Sequence, residues 1–307
     1  MTTKASMSRG PEFYQEIARR YVGGESRESI ARDHGCCIPT IRNWLIRAGA
    51  PTSLHENART HSLNEAVFDN AAESEEAAYW VGFLMADGCV RHPRRDKVIC
   101  LVLKWSDRGH IERLRAFLGS THPIIPRNAG PRGYGSGKGN PNAGAGAYFS
   151  VNSHRLADAL AKYGVLPRKS LTAKVSGLEE NRHFWRGVID GDGGVYESAR
   201  ASGRIRPSVY LCGSLELLWQ FADFVQKSVG GSLPGVTGLG TIWQCSVQDR
   251  RAVAFIHQVY GDCEVALPRK WEVANRLMFW QPAPDKRTKK FRTRPLSTYS
   301  FHPDFCG

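Results

Sequence analysis

Trp80-Val81-Gly82-Phe83-Leu84-Met85-Ala86-Asp87-Gly88 and Trp185-Arg186-Gly187-Val188-Ile189-Asp190-Gly191-Asp192-Gly193 are one pattern written twice, 105 residues apart. Each copy has a small residue at i and i+4, Gly82 with Ala86 and Gly187 with Gly191, followed by one Asp and a Gly. Residues four apart share a face of a helix, and a face of Gly and Ala lets two helix backbones approach closely. Packed together, the two segments would bring Asp87 and Asp192 to one place at the helix C-termini, which are already negative. Two carboxylates there need a cation, and a divalent metal is the natural candidate. Such an arrangement suits an enzyme that acts on phosphates.

The second half of each copy repeats as well. Ser150-Val151-Asn152-Ser153, a helical run to Tyr163-Gly164, then Leu166-Pro167-Arg168-Lys169 is echoed later. The echo is Ser246-Val247-Gln248-Asp249, a run to Tyr260-Gly261, then Leu267-Pro268-Arg269-Lys270. A period near 100 residues suits duplication of a small domain.

These segments resemble the LAGLIDADG motif of homing endonucleases in its two-motif, single-chain form. Trp replaces the first Leu in both copies, Arg186 stands for an Ala, and Met85 stands where an earlier Asp is common. The resemblance covers roughly residues 73–280 and implies an α+β fold. Two αββαββα half-domains, related by a pseudo-twofold axis along the paired motif helices, would form a saddle-shaped sheet for a duplex.

The implied activity is double-strand cleavage of DNA at a long specific site by a monomer. Mg²⁺ or Mn²⁺ would be held by Asp87 and Asp192, with the backbone carbonyls of Ala86 and Gly191 completing the shells. Mg²⁺ takes few protein oxygens, the rest being water and phosphate, so one acid from each half meets its needs. Asp190 has no charged counterpart in the first copy and reads as structural. Lys104, at a strand end, is a candidate basic catalytic helper, with Cys212 as its match in the second copy; a solvated strand-end lysine is the plain alternative. Two other readings stand beside the nuclease: a DNA-binding regulator that lost cleavage, and an RNA maturase.

Net charge is +13 with a pI near 9.5, which calls for an anionic partner. Residues 1–60 carry a net +3 and residues 282–307 a net +4, leaving +6 for the middle. No apolar run has transmembrane length and no signal region opens the chain, so the reading is a cytoplasmic protein, bacterial or phage-encoded. The eight cysteines form no CxxC and no zinc spacing.

Five segments follow: 1–50 helical, 51–72 linker, 73–177 and 178–281 the two half-domains, and 282–307 a basic, disordered tail. Within the first, Ile30, Ala31, Gly35, Ile41 and Trp44 fit a helix-turn-helix. Its third helix would turn Thr40, Arg42, Asn43 and Arg47 toward a DNA groove. In the body, hairpin residues facing the groove would read DNA. These are Arg91, Arg94 and Lys97 in the first copy, and Tyr196, Ser198, Arg200, Arg204 and Arg206 in the second. Lys169 and Lys270 are candidate phosphate contacts, or else exposed cations. The tail's Lys286-Arg287 and Lys289-Lys290 would add salt-dependent affinity. The Gly-rich stretch Asn128–Gly146 reads as a DNA-contacting loop or as disorder.

Overall fold

The computed structural model describes residues 9–50, 52, 61–92, 96–127, 145–199 and 205–282. Arg94, Arg200, Arg204, Lys286, Arg287, Lys289 and Lys290 lie outside the described residues, as does most of the Gly-rich stretch. The chain divides into two compact units, residues 1–62 and 63–307.

The first unit contains three helices, α1 (Pro11–Val22), α2 (Arg27–Asp33) and α3 (Ile38–Arg47). The Ser26 hydroxyl caps α2 by accepting the Ser29 N–H. Gly35 supplies the left-handed backbone (φ +59) that turns the chain toward α3. Ile17, Tyr21, Ile30, Ile41 and Leu45 form a small core of this unit's own. Arg42, Asn43 and Arg47 are exposed on α3 and Thr40 is half-buried. Arg47 donates to the Tyr14 hydroxyl at 2.9 Å.

The second unit repeats one layout. The first copy is α4 (Glu75–Ala86), β1 (Cys89–Arg91), β2 (Val98–Lys104), α5 (Arg108–Phe117), β3 (Ile125–Arg127), β4 (Gly146–Asn152) and α6 (His154–Lys162). The second is α7 (Arg182–Asp192), β5 (Gly193–Ala199), β6 (Ile205–Gly213), α8 (Leu215–Val229), β7 (Val236–Leu239), β8 (Ile242–Gln248) and α9 (Asp249–Tyr260), followed by α10 (Pro268–Met278). Each half builds a four-stranded antiparallel sheet, ordered β1-β2-β4-β3 and β5-β6-β8-β7. The αββαββα unit is thus present twice, as the resemblance implies.

Period-2 alternation gives each sheet a core face and an open face. In β2, Ile99, Leu101 and Leu103 enter the core while Val102 and Lys104 face the other way. In β4, Phe149 and Val151 are buried while Tyr148 and Ser150 are partly open.

Three boundaries differ from the sequence reading. α7 begins at Arg182 rather than near Leu178, because the Asn181 carboxamide accepts the N–H groups of both His183 and Phe184 and so fixes the helix start. β7 lies at 236–239 rather than 233–237, after the left-handed Gly230 and Gly231. Part of the expected linker is packed: Phe68 and Ala71 are buried in the main core, and the Asn64 N–H donates to the Leu118 carbonyl at 2.8 Å.

Candidate active site

α4 and α7 are in backbone contact. A β-carbon built on Gly82 would lie 2.0 Å from the Phe184 carbonyl oxygen, and one on Gly187 2.1 Å from that of Tyr79. One on Gly191 would lie 2.3 Å from the Ala86 β-carbon and 3.4 Å from the Asp87 nitrogen. These meetings advance together along both helices, so the helices run parallel and end at the same level. The small-residue face read from the sequence is therefore the contact itself.

Asp87 follows the last residue of α4 as its C-cap and Asp192 is the last residue of α7. Both residues keep access to solvent, yet protein crowds around their carboxyl groups. Desolvation raises the Asp87 carboxyl to about 6, with the Asp192 charge as the next cause; Lys270 and Lys169 oppose the rise. Asp192 is raised by desolvation and held back by the same two lysines. The acids are thus close enough to feel one another, and two cations stand near both.

Those cations are a correction. Lys169 and Lys270, expected either as phosphate contacts or as plain exposed cations, are each 7% exposed. The Lys169 ammonium donates to the Gly88 carbonyl at 2.5 Å. The Lys270 ammonium donates to the carbonyls of Ile189 (2.7 Å), Asp190 (2.6 Å) and Gly193 (2.7 Å), with Gly191 at 3.5 Å. Each cation therefore sits at the negative end of its own half's motif helix. Burial lowers both lysines, Lys270 to about 8. The copies differ in local backbone: α10 starts at Pro268 and carries Lys270 in its first turn. Arg168 is instead left-handed (φ 57), and the chain makes only a short turn over Lys169–Leu171.

Asp190 is buried, as its lack of a charged counterpart suggested. It accepts the hydroxyls of Tyr260 (2.7 Å) and Tyr79 (2.8 Å) and the Leu267 N–H (2.6 Å). It thereby joins α4, α7 and α9 to the segment that carries Lys270. Arg186 is also buried and ties the halves together: it donates to the carbonyls of Val265 (2.8 Å) and Val259 (2.9 Å) and to the Glu75 carboxylate (2.7 Å). Arg269 reaches the Asp107 carboxylate of the other half at 3.1 Å.

Lys104 is exposed at the end of β2, on the open face. Its register match is not Cys212. Tyr148 pairs Val102 while Gln244 pairs Cys212, so two residues further along Lys104 corresponds to Ser214, the cap of α8. Asp87 and Asp192 are 105 residues apart but Lys104 and Ser214 are 110 apart, so the second half holds five more residues between motif and second strand. Cys212 nonetheless lies near the pair, since the Asp192 charge raises its thiol after burial has done so. With Ala86, Lys169, Asp192 and Ser214 it lines a cavity of about 180 Å³.

The open face of the first sheet carries Arg91, Lys104 and Arg127, with Arg91 donating to the Tyr148 hydroxyl (3.2 Å) and Arg127 stacked on that ring at 4.4 Å. Arg127 and Tyr148 were not singled out in the sequence; alternation along the strand containing Arg127 was the signal that could have found them. On the second sheet Tyr196 is exposed and Ser198 is half-buried, its hydroxyl donating to the Arg206 carbonyl at 3.2 Å. Arg206 is ion-paired with Asp249 at 2.7 Å, and Lys97 with Asp158.

No protein-family model matches the chain, and no curated protein matches it. Meganuclease I-SmaMI bound to uncleaveable DNA superposes with a TM-score of 0.44 at 12% identity, over 67% of this chain and 91% of that one. The homing endonuclease I-WcaI bound to its DNA recognition sequence gives 0.46 at 12%, over 68% and 88%. The LAGLIDADG meganuclease I-AabMI bound to uncleaved DNA gives 0.42 at 10%, over 65% and 88%. All three are homing endonucleases or meganucleases by description. At such identities and TM-scores the likeness adds nothing to the reading of single residues, which rests on the geometry above.

Among the described residues no group of three or more His, Cys, Asp or Glu side chains could hold a metal, and no helix is long and apolar enough to cross a membrane. Two carboxylates with helix-end carbonyls beside them offer only hard oxygens. That set fits Mg²⁺ or Mn²⁺ keeping most of its waters, and does not fit zinc.

Proposed function

We propose that the chain is a LAGLIDADG-type, site-specific endonuclease that cuts both strands of DNA as a monomer. The observation that carries this reading is the meeting of Asp87 and Asp192 at the level ends of two parallel helices in backbone contact. One acid from each half, related by the repeat, matches a substrate with two antiparallel strands and one scissile phosphate on each. When bound, divalent cations would supply charge neutralisation and an activated water.

Asp87 and Asp192 would hold those cations, with the carbonyls of Ala86 and Gly191, one residue before each acid, completing the shells. Lys169 and Lys270 hold the helix ends and oppose the rise that burial imposes on both carboxyl groups. Lys104, on the open face, approaches the backbone of a bound duplex.

The cations Arg91, Lys104 and Arg127 favour phosphate contacts, while Tyr196 and Ser198 on the other sheet suit base edges. The first unit acts as a helix-turn-helix, with Thr40, Arg42, Asn43 and Arg47 toward DNA. Lys97, Arg94, Arg200, Arg204, Arg206 and the basic tail add to the footprint, and the site is correspondingly long. The protein works in the cytoplasm of its host.

The test is incubation with a library of random duplexes and Mg²⁺, followed by sequencing of the cut ends. A rare long site broken on both strands is the expected result. Retained binding without cuts, under both Mg²⁺ and Mn²⁺, would identify a regulator. Preference for structured RNA over duplex DNA would identify a maturase.

A further inference from the structure

The first strand after the Asp87 motif opens with a cysteine, and its partner across the sheet is another. Cys89 and Cys100 are directly opposed in the antiparallel β1–β2 register. Val90 and Ile99, the next opposed pair, both enter the core, so Cys89 and Cys100 share the open face. The Cys100 thiol already points across the ladder, 3.4 Å from the Cys89 carbonyl oxygen. Cys89 is exposed and Cys100 is 6% exposed.

Directly opposed antiparallel residues have Cα atoms about 4.5 or 5.5 Å apart, and both spacings fall within the roughly 4.4–6.8 Å that disulfides span. We infer that Cys89 and Cys100 form a reversible dithiol–disulfide site on the floor of the cleft beside Asp87, which takes small-molecule disulfides as its co-reactant. The steps balance as thiol–disulfide exchange. The exposed Cys89 thiolate attacks the external disulfide, releasing one thiolate and forming a mixed disulfide. The Cys100 thiolate then attacks the Cys89 sulfur, closing the cross-strand bond and releasing the second thiolate. The external disulfide is reduced by two electrons, and each cysteine loses its proton to solvent.

The bond would act on the acid pair. Opposed β-carbons about 4.5–5.5 Å apart must close to about 3.8 Å, which moves the start of β1. Gly88, which joins β1 to Asp87, lies against the end of α4: a β-carbon built on it would stand 2.6 Å from the Leu84 carbonyl oxygen. The Gly88 carbonyl also receives Lys169. The displacement therefore passes to Asp87, and an error of about 1 Å at a reacting group costs on the order of 100-fold in rate. Bond formation is independent of the nuclease reading; only its effect on cleavage rests on it.

The full-length protein, treated with oxidised glutathione and mapped by mass spectrometry without reduction, should yield the Cys89 and Cys100 peptides joined, with loss of two hydrogens. Cleavage of its selected site should fall about 100-fold and return with reductant, while Cys89→Ser and Cys100→Val should neither link nor lose cleavage. Glutathione stopping at Cys89 as a stable mixed disulfide, or no modification of either residue, would overturn the pairing. Equal oxidative loss of cleavage in Cys89→Ser would overturn its effect on the site. A protein that links correctly on oxidation but never cuts DNA when reduced would instead fault the nuclease reading.

Discussion

Gly191 lies so close to Ala86 that a β-carbon on it would stand 2.3 Å from the alanine's own. This approach of two small residues sets where the next residue on each helix, Asp192 and Asp87, leaves the backbone. The acid pair is thus a consequence of helix packing, and its position is as rigid as the buried interface beneath it.

The interface predicts an inverted response to a helix-favouring substitution. Gly→Ala normally stabilises a helix interior by roughly 0.5–1 kcal/mol, and Gly109→Ala in α5, with nothing within 4 Å of the new carbon, should be neutral or follow that rule. Gly187→Ala places its carbon 2.1 Å from the Tyr79 carbonyl oxygen and should destabilise by about 1–3 kcal/mol or more. Equilibrium urea unfolding of both variants checks the two signs.

Charge at the acid pair predicts a pH-dependent stability. The Asp87 pKa is raised to about 6 from 3.8, so the folded state holds its proton more tightly than the unfolded chain. Its favourable contribution is present below about 4 and is lost as pH rises through 6. Without divalent metal, Asp87→Asn should therefore melt a few degrees above wild type at pH 7.5 and match it near pH 4. Added Mg²⁺ should stabilise the wild type and not the variant. Thermal melts across pH, with and without metal, test both points.

The two buried lysines should be unequal. Lys270 satisfies three carbonyls at 2.6–2.7 Å where Lys169 satisfies one. Hydrogen bonds to charged groups contribute about 1.5–3 kcal/mol each, without simple additivity. Lys270→Met should cost at least about 3 kcal/mol and clearly more than Lys169→Met in chemical denaturation.

Arg186 occupies a position where the resemblance leads one to expect alanine, and its contacts explain the exchange. Arg186→Met would strand the carbonyls of Val259 and Val265 and leave Glu75 without its cation. A loss of about 3–5 kcal/mol is expected, and Glu75→Gln in the same background should recover part of it. A double-mutant cycle measures that coupling.

The first unit has its own core. A chain beginning at Ser62 should fold, cleave its site with little change in rate at saturating protein, and bind DNA roughly 10-fold or more weakly at physiological salt. Fluorescence anisotropy together with single-turnover cleavage separates the two effects.

Much of this was legible in the residues. The repeated motif specified both helices and the acids at their ends. The lysines were not legible. Charge argues for solvent, and nothing local in LPRK says that its long stem will thread to a cluster of helix-end carbonyls supplied by residues 81 or so positions away. The Lys104 counterpart was misplaced because the second half holds five added residues between motif and second strand, whose effect on the pairing only strand register reveals. The start of α7 was missed for a nearer reason: the apolar pattern runs back to Leu178, but the Asn181 cap decides where the helix begins.

The most direct test cuts a selected site with wild type, Asp87→Asn and Asp192→Asn in Mg²⁺, with each DNA strand labelled separately. Wild type should break both strands, and each variant should break neither while binding within about 2-fold of wild type. Undiminished cutting by either variant would show that the paired aspartates are not the reacting centre.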